Sequence, residues 1–262
     1  MAAVSMHKSG GSLTQSSILL TNKGVNADYV RQIINLTQTT SGSYLLLASL
    51  DISRRNLALR GEESFAKVMD MAEYARMEIN EIGGYYAYGK ELVNGTSVYD
   101  YDVTKLSVHT LGLGLAGIEV YDLLRDEYDI QIEFGDVSNI LAYISIGDRL
   151  QDIERLVGAL ADIARIYKKD STGMLSGEFI SPIVARSPQE AFYSAKESLP
   201  VEKTEGRISG EFVMCYPPGI PILAPGEMIT DEIIQYILYV KEKGCSMQGT
   251  EDKSVNKLKV LV

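Results

Sequence analysis

Residues 109–139, HTLGLGLAGIEVYDLLRDEYDIQIEFGDVSN, carry two incompatible signals. Gly112, Gly114 and Gly117 spell G-x-G-x-x-G between a predicted strand (106–111) and a predicted helix (117–128), with Glu133 near the end of the next strand (130–134). On spacing alone this is a dinucleotide fingerprint, in which glycines let backbone approach a pyrophosphate at a helix N-terminus. The residues that follow speak against it. A parallel fold needs a crossover of roughly a dozen residues or more after the second strand. Here only GDVSN (135–139) precedes the next apolar run, 140–146. That is enough for a hairpin and too little to cross a sheet. The stretch therefore reads as strand, helix and antiparallel hairpin, with the glycines packing a tight helix entry against a sheet and His109 structural.

On the N-terminal side, SSILLT (16–21) predicts a short buried strand, and residues 26–36 predict a helix with Tyr29, Ile33, Ile34 and Leu36 on one face. A hydroxyl-rich loop, TQTTSGS (37–43), leads through small and apolar residues into the clearest helix, 61–82. There Phe65, Val68, Met69, Ala72, Ala75, Ile79 and Ile82 recur at helical spacing, as core packing does. The Gly-, Tyr- and Asp-rich run 83–105 reads as a connection between two structural units. On the C-terminal side come a long helix (149–167) and a loop-rich passage (168–187). At Ser187, S-P-Q-E forms a capping box that opens a helix expected to reach about residue 199. A strand (207–214), a rigid proline loop (CYPPGIPILAPGE, 215–227) and a helix (230–243) with Asp231 and Glu232 at its positive end complete the chain.

With 262 residues and 45% hydrophobic content, the chain can bury one large core or two ordinary ones. It has no apolar run of about 18 residues and no secretory-type start, so a soluble, cytoplasmic protein is expected. A formal charge of −10 without dense basic runs argues against nucleic acid as a partner. Cys215 and Cys245 make neither a metal spacing nor a disulfide framework and read as reduced, structural thiols.

Near the start, VSMHKSGGSLTQSS (4–17) places Lys8 in S-x-H-K followed by Gly10, Gly11 and hydroxyl residues. A lysine that does covalent work must be held in a dry pocket where its amine can lose its proton, and the commonest such role is attachment of a cofactor aldehyde. Serine and histidine beside it can bind an anionic group, while the glycines let backbone pass close to a flat ring. An ordinary surface lysine in a flexible tail fits these residues equally well.

This segment resembles the cofactor-lysine segment of the Orn/Lys/Arg decarboxylases of aspartate-aminotransferase fold, in the short form found in Gram-positive bacteria. TQTTSGSYLLLASLDISRRNLA, YDVTKLSVHTLGLGLAG, LRDEYDIQIEFGDVSNILAYISIGD and YPPGIPILAPGEMIT resemble further blocks of that family, in its order, across essentially the whole chain. The resemblance implies an α/β fold, α+β in its C-terminal part. It implies the remainder of an incomplete large domain (1–100), a small domain (101–170) and a C-terminal decarboxylase domain (171–262). It further implies pyridoxal 5'-phosphate bound covalently to Lys8, with Ser5 and His7 near its phosphate. Thr39, Thr40 and Ser41 are implied to reach the phosphate of a second subunit's cofactor, so that the active unit is at least a homodimer; Gly42 stands where proline is usual. Glu227 is implied either to orient substrate or close the site, or else to cap structure. No metal is implied.

The family's groups for the pyridine nitrogen, for stacking on the ring and for most of the phosphate precede the lysine segment. The chain is therefore expected to correspond to the C-terminal half of such an enzyme, with Met1 an internal methionine. The activity implied is decarboxylation of a basic amino acid, arginine to agmatine in polyamine synthesis, with lysine or ornithine as alternatives. A catalytically silent assembly module that pairs with a separate N-terminal half is the reading from another class.

Overall fold

The computed structural model describes residues 1–171, 180–216 and 218–262. Part of the loop-rich passage after Tyr167, and Pro217 of the proline segment, lie outside the described residues. The chain forms two compact units, residues 1–72 with 144–150, and residues 73–143 with 151–262.

In the first unit, β1 (Ala2–Ser5) and β2 (Ser17–Leu20) pair antiparallel around a short helix, α1 (Met6–Ser9). Helix α2 (Ala27–Thr37) is capped by Asn26, whose side chain accepts from the backbone N–H of Asp28 (3.1 Å) and Tyr29 (3.0 Å). The predicted burial is not found here. Leu19 and Leu20 are exposed, α2 buries no residue, and Tyr29, Ile33 and Leu36 are all exposed. The apolar face of α2 thus exists without a core of its own.

Residues 44–59 and 61–82 form one helix, α3 (Tyr44–Ile82, 39 residues), and the division between the units falls within it, after Ala72. In the second unit its end buries Ala75 and Ile79. The predicted stripe holds there and at Val68 and Ala72, whereas Met69 is exposed. Arg76, although charged, is buried as well. It donates to the carbonyls of Tyr88 (2.6 Å) and Val103 (3.0 Å) and pairs with Glu73 (2.7 Å), so its charge is fully partnered.

The hairpin reading of residues 109–139 is borne out. Strands β3 (Tyr86–Ala87) and β4 (Lys105–His109) precede helix α4 (Gly117–Tyr128); β5 (Phe134–Gly135) and β6 (Asn139–Tyr143) follow it. The sheet order is β3-β4-β6-β5 and every neighbouring pair is antiparallel. Leu106 and Val108 face Ala142 and Ile140 across the ladder, and all four are buried on one face. The predicted strand 130–134 is shorter than expected because Asp129 turns the chain through left-handed space (φ 52°) and the ladder begins only at Phe134. Helix α5 (Leu150–Ile166) adds Ile153, Leu156, Leu160 and Ile163 to the buried set, and Tyr85 donates its hydroxyl to the Leu160 carbonyl (3.1 Å).

Each glycine of the fingerprint is occupied by the chain's own backbone. A Cβ on Gly112 would stand 2.6 Å from the Gly84 carbonyl oxygen, one on Gly114 (φ +70°) 2.5 Å from that of Lys169, and one on Gly117 inside the Asn139 backbone. The close approach that a dinucleotide fold reserves for pyrophosphate is filled here by a loop and a neighbouring strand.

Beyond Ser187 the capping box forms as predicted, with the Ser187 N–H donating to Glu190 (2.9 Å) and the Glu190 N–H to Ser187 Oγ (3.2 Å). The helix it opens, α6 (Pro188–Tyr193), stops well short of residue 199. Residues Lys196–Pro200 form β7, which pairs antiparallel with the last strand of the chain, and the predicted strand 207–214 contributes only its end to β8 (Val213–Tyr216). The proline loop contains β9 (Ile220–Leu223), followed by helix α7 (Asp231–Glu242), β10 (Ser246–Gln248) and β11 (Lys257–Leu261). Because the order is β10-β8-β9, Pro221 sits on an edge strand, where its missing N–H costs no ladder bond. Val213, Leu223, Ile229, Ile233, Ile237, Leu258 and Val260 form the core of this region.

Candidate functional site

The lysine turn is built on the β1–β2 hairpin, whose register ends at Ser5 opposite Ser17. Ser5 begins α1 without a side-chain cap, and Met6 is buried beneath it. The backbone between the strands is held at many points. The Met6 N–H donates to the Ser16 carbonyl (3.1 Å), and Nδ1 of His7 hydrogen-bonds the same oxygen (2.9 Å). Ser16 Oγ reaches the Leu13 carbonyl (2.8 Å) and also bonds Ser12 Oγ. From α3, Ser49 Oγ accepts from the Leu13 N–H (2.6 Å) and Ser53 Oγ donates to the Gly10 carbonyl.

This segment is therefore not a loose tail, yet Ser5, His7 and Lys8 are exposed. Among the described residues, no hydrogen bond or ion pair engages the Lys8 amine, and no dry pocket encloses it. The glycines also differ from expectation. Gly10 is needed because a Cβ would meet the Met6 carbonyl oxygen at 2.9 Å, and Gly11 because its φ is +80°. Both serve the turn itself.

Thr39, Thr40 and Ser41 lie in the exposed loop between α2 and α3, where the Ser41 N–H donates to Thr39 Oγ1 (3.2 Å). Among the described residues no hydrogen bond joins them to the lysine turn. Glu227 belongs to the other unit and caps a turn: its Oε2 accepts from the Ala224 N–H (2.8 Å), while its backbone carbonyl accepts from Ser209 (2.8 Å). Beside it Gly226 (φ +94°) lies against the Arg186 carbonyl. Ser49 and Ser53 are the anchoring residues that sequence reading missed. Their signal was two serines one helical turn apart on a mostly apolar stretch, LLLASLDIS.

The donor set fits a phosphorylated aldehyde. A primary amine free of any carboxylate sits on a pinned backbone beside an imidazole and hydroxyls, groups able to hold a covalent aldehyde and a phosphate. Among the described residues no group of three or more His, Cys, Asp or Glu could hold a metal ion, and no helix is long and apolar enough to cross a membrane.

The family model of the Orn/Lys/Arg decarboxylase major domain matches residues 1–152, and that of the C-terminal domain matches residues 177–253. The chain belongs to the Orn/Lys/Arg decarboxylase family. Within the family it is 43% identical to an arginine decarboxylase of Halalkalibacterium halodurans over all of this chain and 54% of that protein. It is 42% identical to an arginine decarboxylase of Bacillus subtilis, with the same coverage. The chain thus spans about half the length of the curated relatives it matches. The constitutive lysine decarboxylase of Escherichia coli shares its fold, with a TM-score of 0.72 at 18% identity over 96% of this chain and 48% of that one. The mixed α/β architecture expected from the sequence is that of these decarboxylases.

Proposed function

We propose that this chain is the lysine-bearing and C-terminal portion of a pyridoxal-phosphate-dependent arginine decarboxylase that forms agmatine and CO2 for polyamine synthesis in the cytoplasm. The observation that carries the reading is identity above 40% to arginine decarboxylases along the whole chain, and the pinned turn that bears Lys8 supports it. Pyridoxal phosphate, when bound, supplies the electron sink that lets an amino acid lose its α-carboxylate. Lys8 Nζ would hold the cofactor aldehyde, and Ser5 and His7 would hold its phosphate. Thr39, Thr40 and Ser41 extend to the phosphate held by a second subunit, which makes the working unit a homodimer. Residues 1–100, 101–170 and 171–262 act as the end of the cofactor domain, the small domain and the C-terminal domain.

The chemistry requires water to be excluded around Lys8 Nζ, and Lys8 is exposed here. Helix α2 also leaves Tyr29, Ile33 and Leu36 uncovered, and Leu45 and Leu59 of α3 are exposed at 77% and 71%. Apolar side chains left uncovered on two successive helices are what a docking face would present. Both observations favour a complementary N-terminal half, whether joined to this chain or separate, and make the chain alone a silent module. The test is to mix or co-express the chain with the N-terminal half of the Bacillus subtilis relative and assay amine production from arginine, lysine and ornithine. Agmatine formation that is lost in Lys8→Ala is expected. A folded, associated pair without activity on any of the three would overturn the proposal.

A further inference from the structure

We infer that Cys215 and Cys245 form a two-electron redox site, in which a hydroperoxide oxidises Cys245 and Cys215 resolves it into an intramolecular disulfide. The inference is independent of the decarboxylase reading.

The two thiols are distant in sequence, but the fold makes them neighbours. Strand β8 pairs with β10 so that Cys215 faces Met247, and Cys245 lies two residues before Met247. Side chains two apart along an extended chain share a face, so Cys245 and Cys215 are diagonal neighbours on one side of the ladder. Both are buried, and they share one apolar cluster with Val137 and Val240. Diagonal positions stand about 7–8 Å apart at Cα, just beyond the usual disulfide span of about 4.4–6.8 Å, so closing the bond needs a small movement. Cys245 is the residue placed to make it. It follows Gly244 (φ +79°) at the exit of α7 and precedes the first ladder residue of β10.

The surroundings assign the roles. Cys245 lines an open cavity of about 750 Å³ together with Lys241, Lys253 and Ser246, and among the described residues no carboxylate lines it. Lys241 is bonded to neutral Asn256 Oδ1 (2.7 Å), and among the described residues no carboxylate pairs with it. The hydrogen bond with Cys215 lowers the pKa of the Cys245 thiol against opposition from burial and Asp136, and raises that of Cys215. Cys245 is as buried as Cys215, but it alone of the two lines the cavity, so a small hydroperoxide reaches it first beside the Lys241 ammonium, the electropositive setting of a reactive cysteine.

In the reaction the Cys245 thiolate attacks the O–O bond of hydrogen peroxide, giving a sulfenic acid and hydroxide. The Cys215 sulfur then displaces the sulfenic hydroxyl, which leaves as water once the Cys215 proton is transferred. In sum two thiols lose two hydrogens, and one peroxide becomes two waters.

The experiment treats the chain with hydrogen peroxide at neutral pH, alkylates the remaining thiols under denaturing conditions, and maps peptides without reduction. A Cys215–Cys245 crosslinked peptide is expected, with loss of both alkylations, reversal by dithiothreitol and a melting temperature raised by about 5–10 °C. In Cys215→Ser a dimedone adduct should accumulate on Cys245, and Cys245→Ser should slow oxidation of Cys215 at least about tenfold. Alanine replaces serine in either variant if circular dichroism shows misfolding, and the wild-type peptide map requires no variant. Peroxide treatment that leaves both thiols alkylatable, or that crosslinks separate chains instead, would overturn the inference.

Discussion

Replacing Gly117 by alanine isolates the role of the glycine fingerprint. As the first residue of α4, Gly117 has a helical environment in which alanine would ordinarily gain up to about 1 kcal/mol. Here the added methyl would lie inside the backbone of Asn139 on β6, and its 2.8 Å approach to the Asn139 nitrogen leaves no flexible side chain to move aside. The same seam holds Gly135, whose own Cβ position lies against the Gly117 carbonyl, and the Ile118 N–H to Asp136 carbonyl bond of 2.8 Å. Overpacking of this kind costs about 1–3 kcal/mol, and weakening one buried hydrogen bond adds about 1 kcal/mol. The net loss should be about 3 kcal/mol, which at this size lowers the melting temperature by roughly 6–12 °C. Gly158 is the internal control: it lies within α5, is exposed and has no atom within 4 Å of a built Cβ. Gly158→Ala should raise stability by up to about 1 kcal/mol. The assay is thermal unfolding followed by far-ultraviolet circular dichroism, with and without a nicotinamide dinucleotide. A Gly117→Ala protein that melts within about 1 °C of the parent would refute the packing argument, as would a dinucleotide that stabilises the parent but not the variant.

Glu119 accepts from the Ala116 N–H (2.8 Å) and pairs with Lys169 (2.8 Å); burial opposes its ionisation, but these bonds hold its carboxyl below the usual value. Glu119→Gln should therefore cost about 1 kcal/mol at neutral pH, discounted for solvent screening. The deficit should begin to shrink below the ordinary glutamate value of about 4.3 and vanish once pH falls through the lowered value at which the parent carboxylate protonates; a deficit unchanged at low pH would argue against the assignment. Asp252 is bonded by Ser254 and by the N–H groups of Asn256 and Lys257, which lower its pKa to about 2. Carbon-detected titration should show it still ionised at about pH 3, and stability contributed above its unfolded pKa of about 3.9 should be lost on acidification toward 2 in the parent but not in Asp252→Asn. Glu227→Gln should destabilise the C-terminal region by about 1 kcal/mol through loss of the charged acceptor for Ala224. In a complemented enzyme it should leave the KM for arginine unchanged, and a large rise in KM would restore a substrate role for Glu227.

The parts legible in the sequence were those decided by neighbours in the chain. GDVSN is too short to cross a sheet, and β5 and β6 do form a hairpin there. Ser187 and Glu190 satisfy each other's N–H groups across one turn, and the alanines and isoleucine late in α3 repeat with the helix. The misreadings share a distant cause. Residues 196–200 follow a well-capped helix and carry no local strand signal, but β11 pairs with them, and Leu258 and Val260 are buried in the process. Pro221 looks like loop until β8 supplies a neighbour and leaves it on an edge. Arg76 reads as solvated because its acceptors, the carbonyls of Tyr88 and Val103, are not in its own helix. At the site, Lys8 and His7 stood out by residue type, whereas Ser49 and Ser53 act on atoms far away in sequence, Leu13 and Gly10.

The account rests on Lys8 being the cofactor lysine of a pocket completed by another half-chain. The direct measurement is borohydride reduction after incubation with pyridoxal phosphate, with peptide mapping of the pyridoxyl group, on the chain alone and on the chain paired with an N-terminal half from the Bacillus subtilis relative. The account predicts a stoichiometric pyridoxyl group on Lys8 in the pair and only scattered, substoichiometric labelling of surface lysines in the chain alone. Stoichiometric labelling of a different lysine in an active pair would contradict it.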